Sequence, residues 1–194
     1  MVTDVSRDNL VAHLRALEGE RHPAISPGRL EAAQDYVAAQ FRQSGLSVRE
    51  EAFAIEGHTA ANLIATTACP ADVPRLLIGA HLDTVPGTPG ADDNASGVAA
   101  MLEAARVIAA HRPNAPVEFV GFALEELRML GSSYYAQTLK QQRVKLIGMI
   151  SLEMVGFTES QGLQTYPPLL KPFYPAKGTF IGLKKTEQPA PSTT

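Results

Sequence analysis

The chain has 194 residues, of which 45% are hydrophobic and 19% charged, and its formal net charge at pH 7 is −3. This composition is typical of a globular protein and argues against a disordered or fibrous one. The length suits one domain with a sizeable core. Lys and Arg are scattered, so no basic patch predicts nucleic-acid binding, and no apolar run is long enough to span a membrane.

Two features bear on the compartment. The first twenty residues alternate charged and apolar positions and lack the continuous apolar segment of a secretory signal. The single cysteine, Cys69, excludes an internal disulfide and gives no sign of an oxidising compartment. In its Pro-flanked loop we interpret Cys69 as inert, and we expect a cytoplasmic protein.

Helical and strand patterns alternate along the chain, which predicts an α/β sandwich. In one helix, Ser26 suits the N-cap, Pro27 the first turn and Gly45 the end. Apolar residues at helical spacing predict three more helices, over residues 8–17, 96–110 and 132–140. Strands are predicted over residues 46–53, 62–67, 75–80, 117–123 and 146–154, of which the last three are apolar runs typical of buried strands.

Beyond Gly156 the regular pattern dissolves. Prolines between residues 167 and 175 argue against helix or strand there. Residues 184–194 are polar and contain proline. We therefore expect a partial domain over residues 1–183 and a disordered tail over residues 184–194.

Polar clusters stand where the predicted core strands stop, and one more opens a helix. In open α/β sheets, ligands collect beyond the carboxyl ends of the strands. One imidazole with several carboxylates suits a divalent metal, zinc above all. Taken singly, each cluster is more often a helix cap or a solvated strand end, but their common edge favours one metal site. The clusters are His81 and Asp83, Asp92 to Asn94, Glu125 and Glu126, and Glu153.

Three segments, GAHLDTVPGTPGADDNASGVAAMLEAAR, FALEELRMLGS and ISLEMVG, resemble the signature segments of metallopeptidase family twenty-eight, which includes bacterial leucyl aminopeptidases and glutaminyl cyclases. The resemblance runs from about residue 10 to about residue 183. It implies a zinc exopeptidase fold: a three-layer sandwich with a mixed, mostly parallel central sheet flanked by helices, incomplete at the C-terminus. The implied activity is removal of N-terminal residues from a peptide or small amide substrate.

The same resemblance implies two zinc ions. His81, Asp93 and Glu153 would bind the first ion. Asp93, joined to Asn94 by a cis peptide, would bridge to the second ion, which Glu126 would also bind.

Catalytic roles are implied for two further acids. Glu125 would be the general base for the attacking water, and Asp83 would hold the far ring nitrogen of His81. Arg128 stands where relatives often have glycine, and we interpret it as a solvated turn residue.

Relatives supply a last histidine to the second zinc from a downstream segment, whereas all five histidines of this chain precede Glu125. We therefore expect a truncated chain whose second zinc lacks one ligand and whose activity is reduced or lost. We also expect its sheet to expose an apolar edge.

Three alternatives stay open. A glutaminyl cyclase would use one zinc in the same ligand frame. The word HLDTVPG is also similar to that of a related zinc carboxypeptidase and deacylase family. A third alternative is an inactive truncated homologue or a binding module of the same fold. Neither the side-chain specificity nor the oligomeric state can be predicted from the sequence.

Overall fold

The computed structural model describes residues 2–67, 73–163 and 177–178. The chain divides into two units, Met1–Gly156 and Phe157–Thr194. Cys69, the prolines at residues 167–175 and the predicted boundary between residues 183 and 184 lie outside the described residues, so those interpretations stay predictions.

The helices of the first unit are α1 (Arg7–Leu17), α2 (Pro27–Gln43), α3 (Gly97–Ala110) and α4 (Leu130–Gln141). Ser6 caps α1, since its hydroxyl accepts the N–H of Asn9 at 3.2 Å. None of the described helices is both long and apolar enough to cross a bilayer.

Ser26 is the N-cap residue of α2 and Pro27 lies in its first turn, as predicted, but the serine side chain does not cap the helix. The Ser26 hydroxyl makes no capping hydrogen bond and instead accepts the N–H of His22 at 2.8 Å. A serine hydroxyl that bonds to nearby backbone is drawn away from the helix start. The predicted end is correct, because Gly45 follows α2 with a φ of +79°, a conformation that favours glycine.

Five strands form one sheet in the order β1-β2-β4-β3-β5. β2 pairs antiparallel with both β1 and β4, while β3 pairs parallel with β4 and β5. The predicted mixed sheet is thus confirmed, but it is not mostly parallel, because only two of the four pairings among the described strands are parallel, and these are confined to β3, β4 and β5. The strands are β1 (Ser47–Ile55), β2 (His58–Thr66), β3 (Arg75–His81), β4 (Val117–Phe122) and β5 (Leu146–Ser151).

Helices cover both faces of this sheet, which makes three layers. Because successive side chains of a strand point to opposite faces, the core is split in two. Leu63, Ile78 and Phe119 pack with the buried sides of α1, α2 and α3. Ile64 and Val120 pack on the other face against α4. The predicted sandwich is therefore confirmed.

β5 is the strand whose predicted burial was wrong. Ile147, Met149 and Ile150 are 63%, 49% and 45% exposed. Among the described residues β5 pairs with β3 alone, so it forms an edge of the sheet. The sequence also predicted that the sheet exposes an apolar edge, and β5 is such an edge. A strand cannot be both buried and an exposed edge, so only one of these two predictions could hold for residues 146–154.

The second unit contains a pair of antiparallel strands, β6 (Glu159–Leu163) and β7 (Lys177–Gly178). The sequence pattern, which dissolves beyond Gly156, predicted neither of these two short strands. With five and two residues, these segments are too short for a periodicity to reveal a strand.

A buried carboxylate, Glu103 on α3, ties the N-terminal segment to the core. Its oxygens accept the backbone N–H of Ser6 at 2.6 Å and the side-chain amide of Asn9 at 3.1 Å. The guanidinium of Arg106 donates to both oxygens, at 2.9 and 2.7 Å. These hydrogen bonds, the Arg106 bond first, lower the pKa of Glu103 to about 2.

We expect Glu103→Gln to lower the free energy of unfolding by about 2 kcal/mol at pH 7, because charged hydrogen bonds are lost. A carboxyl whose folded pKa is depressed stabilises the fold above its unfolded pKa and loses that effect as pH falls. The difference from wild type should therefore narrow between pH 4.5 and pH 2. Urea unfolding across this range measures it. The exposed Glu31→Gln serves as control, and a pH-independent difference would contradict the prediction.

Candidate metal centre

The carboxyl ends of the three parallel strands meet at one edge of the sheet. In register, His81 of β3 stands opposite Phe122 of β4, and Gly79 of β3 opposite Ser151 of β5. The ladder continues past the strands, where the N–H of Leu82 donates to the Phe122 carbonyl at 2.9 Å. The polar residues that follow each strand are therefore delivered to one place, as predicted.

Two carboxylate oxygens converge on the imidazole of His81. Its Nε2 lies 3.0 Å from Asp93 Oδ1 and 3.3 Å from Glu153 Oε1. Two ligand atoms of a tetrahedral zinc, each at its usual bond length, are about 3.3 Å apart. The spacing of these atoms therefore matches that of ligands around one zinc-sized ion.

Asp93 reaches this place from an irregular turn, Ala91–Ser96, that precedes α3. The backbone at Asp93 and Asn94 is not helical, and the peptide between them is cis, as the resemblance implies. The Asn94 amide donates to the Leu152 carbonyl at 2.9 Å and to Glu153 Oε2 at 3.2 Å. Its oxygen accepts the N–H groups of Gly97 and Met154. Asn94 thus fixes the Glu153 carboxylate relative to the start of α3.

Asp83 is fully buried and holds two neighbouring loops together. Its carboxylate oxygens accept the backbone N–H groups of Glu125 and Glu126, each at 3.0 Å. Nδ1 of His81 lies 3.6 Å from Asp83 Oδ1 and 3.2 Å from the Asp83 carbonyl. Asp83 therefore faces the far ring nitrogen of His81, and it also fixes the backbone of the Glu125–Glu126 pair.

Ligand-capable atoms of Glu125 and Glu126 lie within 4.8 Å of one another and of the His81 ring. Burial comes first among the causes that raise the pKa of Glu126, followed by the charge of the Asp93 carboxylate. Burial also raises the pKa of Glu125, while the His81 charge lowers it. Asp93 and Glu126 are thus close enough for their charges to interact.

Electrostatics at this edge favour a cation. Burial alone would lower the pKa of His81, but bonds to Asp83 and Glu153 outweigh it and raise the pKa to about 10. The buried Glu126 Oε1 has no hydrogen-bond partner among the described residues, and the buried Asp93 Oδ1 makes no hydrogen bond there although it lies 3.0 Å from His81 Nε2. Unpaired buried carboxylate oxygens are costly unless they bind a cation. The residues therefore fit a divalent metal ion, with nitrogen and oxygen ligands that suit zinc.

The structure brings together all six predicted site residues. Arg128 has an exposed side chain as predicted, but its guanidinium also contacts the Glu56 carboxylate. The φ of Arg128 is +66°, which explains why glycine suits this position. The sequence did not reveal the hydrogen bonds of Asn94 or the backbone contacts of Asp83, because neither follows from spacing.

Replacing Asp83 with asparagine should affect both the fold and the metal. Asparagine has the same size, but its NH₂ group cannot accept the backbone N–H that one oxygen of Asp83 accepts. We therefore expect the free energy of unfolding to fall by about 1–3 kcal/mol. A metal affinity lower by about 10–100-fold should accompany it. Urea unfolding and zinc titration measure the two effects, with the exposed Asp35→Asn as control. Unchanged zinc affinity would contradict a role at the metal.

The model of peptidase family M28 matches residues 62–186, well over half of the chain. The chain is similar to the Escherichia coli protein YfbL, with 37% identity over 92% of the chain and 59% of that protein. It is similar to a probable zinc metalloprotease of Pyrenophora teres, with 30% identity over 89% of the chain and 44% of that protein. The chain thus spans about half the length of these relatives.

Solved structures share the fold. The LapA aminopeptidase of Legionella pneumophila superposes with a TM-score of 0.71 at 24% identity, over 81% of this chain and 45% of LapA. A glutaminyl cyclase of Porphyromonas gingivalis superposes with a TM-score of 0.64 at 28% identity, over 83% of this chain and 61% of the cyclase. The fold alone does not separate these two activities.

Proposed function

The chain belongs to peptidase family M28, and from this membership we propose that it is a zinc-dependent aminopeptidase acting on peptides or small amides. One observation supports the proposal above others. Nε2 of His81, Oδ1 of Asp93 and Oε1 of Glu153 converge at the spacing of zinc ligands. These three residues would hold a first zinc ion.

A second ion would share Asp93 and take Glu126 as its other ligand. The unpaired Glu126 Oε1 and the interaction of its charge with Asp93 support this assignment. Two carboxylates alone bind zinc weakly compared with a set of three ligands that includes histidine. We therefore expect the second ion to bind this chain more weakly than the first.

When bound, zinc would polarise the scissile carbonyl and lower the pKa of the attacking water. Glu125 would take the proton that this water loses and pass it to the departing amine. The Asp83 carboxylate would keep Glu125 in place by accepting the backbone N–H of Glu125, and it would also orient the His81 ring. Asn94 would hold the Glu153 carboxylate toward the ion.

The test combines metal analysis with two matched substrates. Purified chain is incubated with zinc, its metal content is measured by mass spectrometry, and leucine 4-nitroanilide is compared with its Nα-acetylated form. An aminopeptidase should bind zinc and release nitroaniline from the free amine alone. Removal of the acetyl group from the acetylated form, seen by mass spectrometry as leucine 4-nitroanilide, would point to a deacylase. Cyclisation of an N-terminal glutamine with one bound zinc would point to a cyclase, and absence of zinc would contradict the proposal.

A further inference from the structure

A buried arginine outside the family match lies against both connections that carry the metal-binding residues. Arg21 is 2% exposed and stands between α1 and α2, whereas the family match begins at residue 62. No feature of the sequence pattern singles it out. Burial of a guanidinium costs much solvation free energy, and its hydrogen bonds must compensate for that cost. The hydrogen-bond partners of Arg21 therefore indicate which segments it stabilises.

The first connection held by Arg21 is the one that follows β3. Its Nε donates to the Leu82 carbonyl at 2.9 Å, and its backbone N–H donates to Thr84 Oγ1 at 2.9 Å. Leu82 lies between His81 and Asp83 in the chain. The Arg21 side chain therefore donates a hydrogen bond to a backbone carbonyl that is one residue away from both His81 and Asp83.

The second connection is the one that leads into the turn carrying Asp93. Nη2 of Arg21 donates to the Gly90 carbonyl at 3.0 Å. Gly90 has a φ of +57°, and a Cβ there would lie 2.8 Å from Nη2 of Arg21, so the guanidinium packs against bare backbone. The Gly90 carbonyl also accepts the N–H of Ala95 at 3.0 Å, which closes the turn around Asp93.

The rest of the guanidinium is anchored to the end of α1. Nη1 donates to the carbonyls of Leu17 and Gly19. The acceptors that the described residues give this guanidinium are thus all backbone carbonyls. Burial lowers the pKa of Arg21 to about 10, and the charges of Asp83 and Asp93 oppose that shift, so the group stays cationic at neutral pH.

We propose that Arg21 is a positioning residue for the metal centre, whose guanidinium fixes the connections carrying His81 and Asp93 relative to each other. The inference rests on the proposed function, since it assigns these residues to the metal. A planar fork with five N–H donors can hold several carbonyls at once, which a lysine cannot. Metal affinity depends on such outer contacts, because they hold the ligands at the correct spacing.

The experiment compares Arg21→Met and Arg21→Lys with the control Arg75→Met. Arg75 is a half-buried arginine that contacts Glu118, 2.8 Å away, at the start of β3 and far along the strand from His81. Hydrogen exchange of residues 82–95 is measured without metal, and zinc affinity is measured by competition with a chelator. We expect about 10-fold faster exchange and about 10–100-fold weaker zinc binding in Arg21→Met. The control should change neither.

Arg21→Lys keeps the charge and a long side chain, so it should fold even if Arg21→Met does not, and it should show the same two changes. Unchanged exchange or unchanged zinc affinity in a folded Arg21 variant overturns the inference. Equal changes in Arg75→Met overturn it as well. If the wild-type chain binds no zinc, the proposed function fails, while the exchange measured without metal still decides whether Arg21 fixes residues 82–95.

Discussion

Replacing His81 with alanine is expected to lower the affinity of the chain for zinc by at least about 100-fold. Loss of a residue that merely orients a ligand costs about 10–100-fold, and His81 is the one nitrogen donor in the ligand set proposed here. Its Nε2 lies 3.0 Å from Asp93 Oδ1 and 3.3 Å from Glu153 Oε1, the other two proposed ligands of the first ion. Without it, Asp93 and Glu153 would face each other as uncompensated carboxylates.

Stability provides a second measure of the same change. A ligand at 100 times its dissociation constant stabilises a protein by about 2.7 kcal/mol. Zinc at that concentration should raise the unfolding free energy of wild type by this amount and that of His81→Ala, whose dissociation constant is at least about 100-fold higher, by no more than about 0.4 kcal/mol. His58→Ala is the control, since His58 is exposed at the start of β2. Equal stabilisation of both variants by zinc would exclude His81 as a ligand.

Replacing Glu125 with glutamine should leave zinc binding intact and lower kcat about 10²–10⁴-fold, the usual contribution of a general base. Glutamine has the same shape, and it retains the backbone N–H that donates to Asp83, so the loop should keep its position. The lost function is the ability to accept the proton of the attacking water.

Two measurements on the same protein sample make this prediction specific. Zinc content by mass spectrometry should equal that of wild type, and turnover of leucine 4-nitroanilide should fall. Glu50→Gln, at an exposed position of β1, should change neither quantity. A Glu125→Gln protein that binds zinc and keeps wild-type turnover would remove Glu125 from the mechanism, whereas a loss of zinc would make it a ligand.

Much of the candidate metal centre could be predicted because its proposed ligands stand at fixed points of regular elements. His81 ends β3, and Glu153 follows β5 by two residues. Residues at the carboxyl ends of parallel strands lie at one edge of the sheet, independently of the conformation of the loops. The six residues predicted from the clusters and the family resemblance were therefore found together.

Features that depend on contacts between loops could not be predicted. Ser26 was expected to cap α2 because serine favours that place, yet its hydroxyl bonds to His22. Asp83 bonds to the backbone of Glu125 and Glu126, and Arg21 to backbone carbonyls. Since every residue type has a backbone carbonyl and all except proline have a backbone N–H, such contacts leave no pattern in the sequence. The burial of β5 was mispredicted because an apolar run does not show whether a strand is central or at an edge.

β5 has a single neighbour among the described strands, and this has a practical consequence for protein production. An edge strand with exposed apolar side chains is a template on which strands of other molecules pair, and that pairing leads to aggregation. A lysine at such a position is the usual gatekeeper in natural sheets. Ile147 of this strand is 63% exposed. An Ile147→Lys version should therefore stay dispersed at higher concentrations while its metal-binding residues remain unchanged.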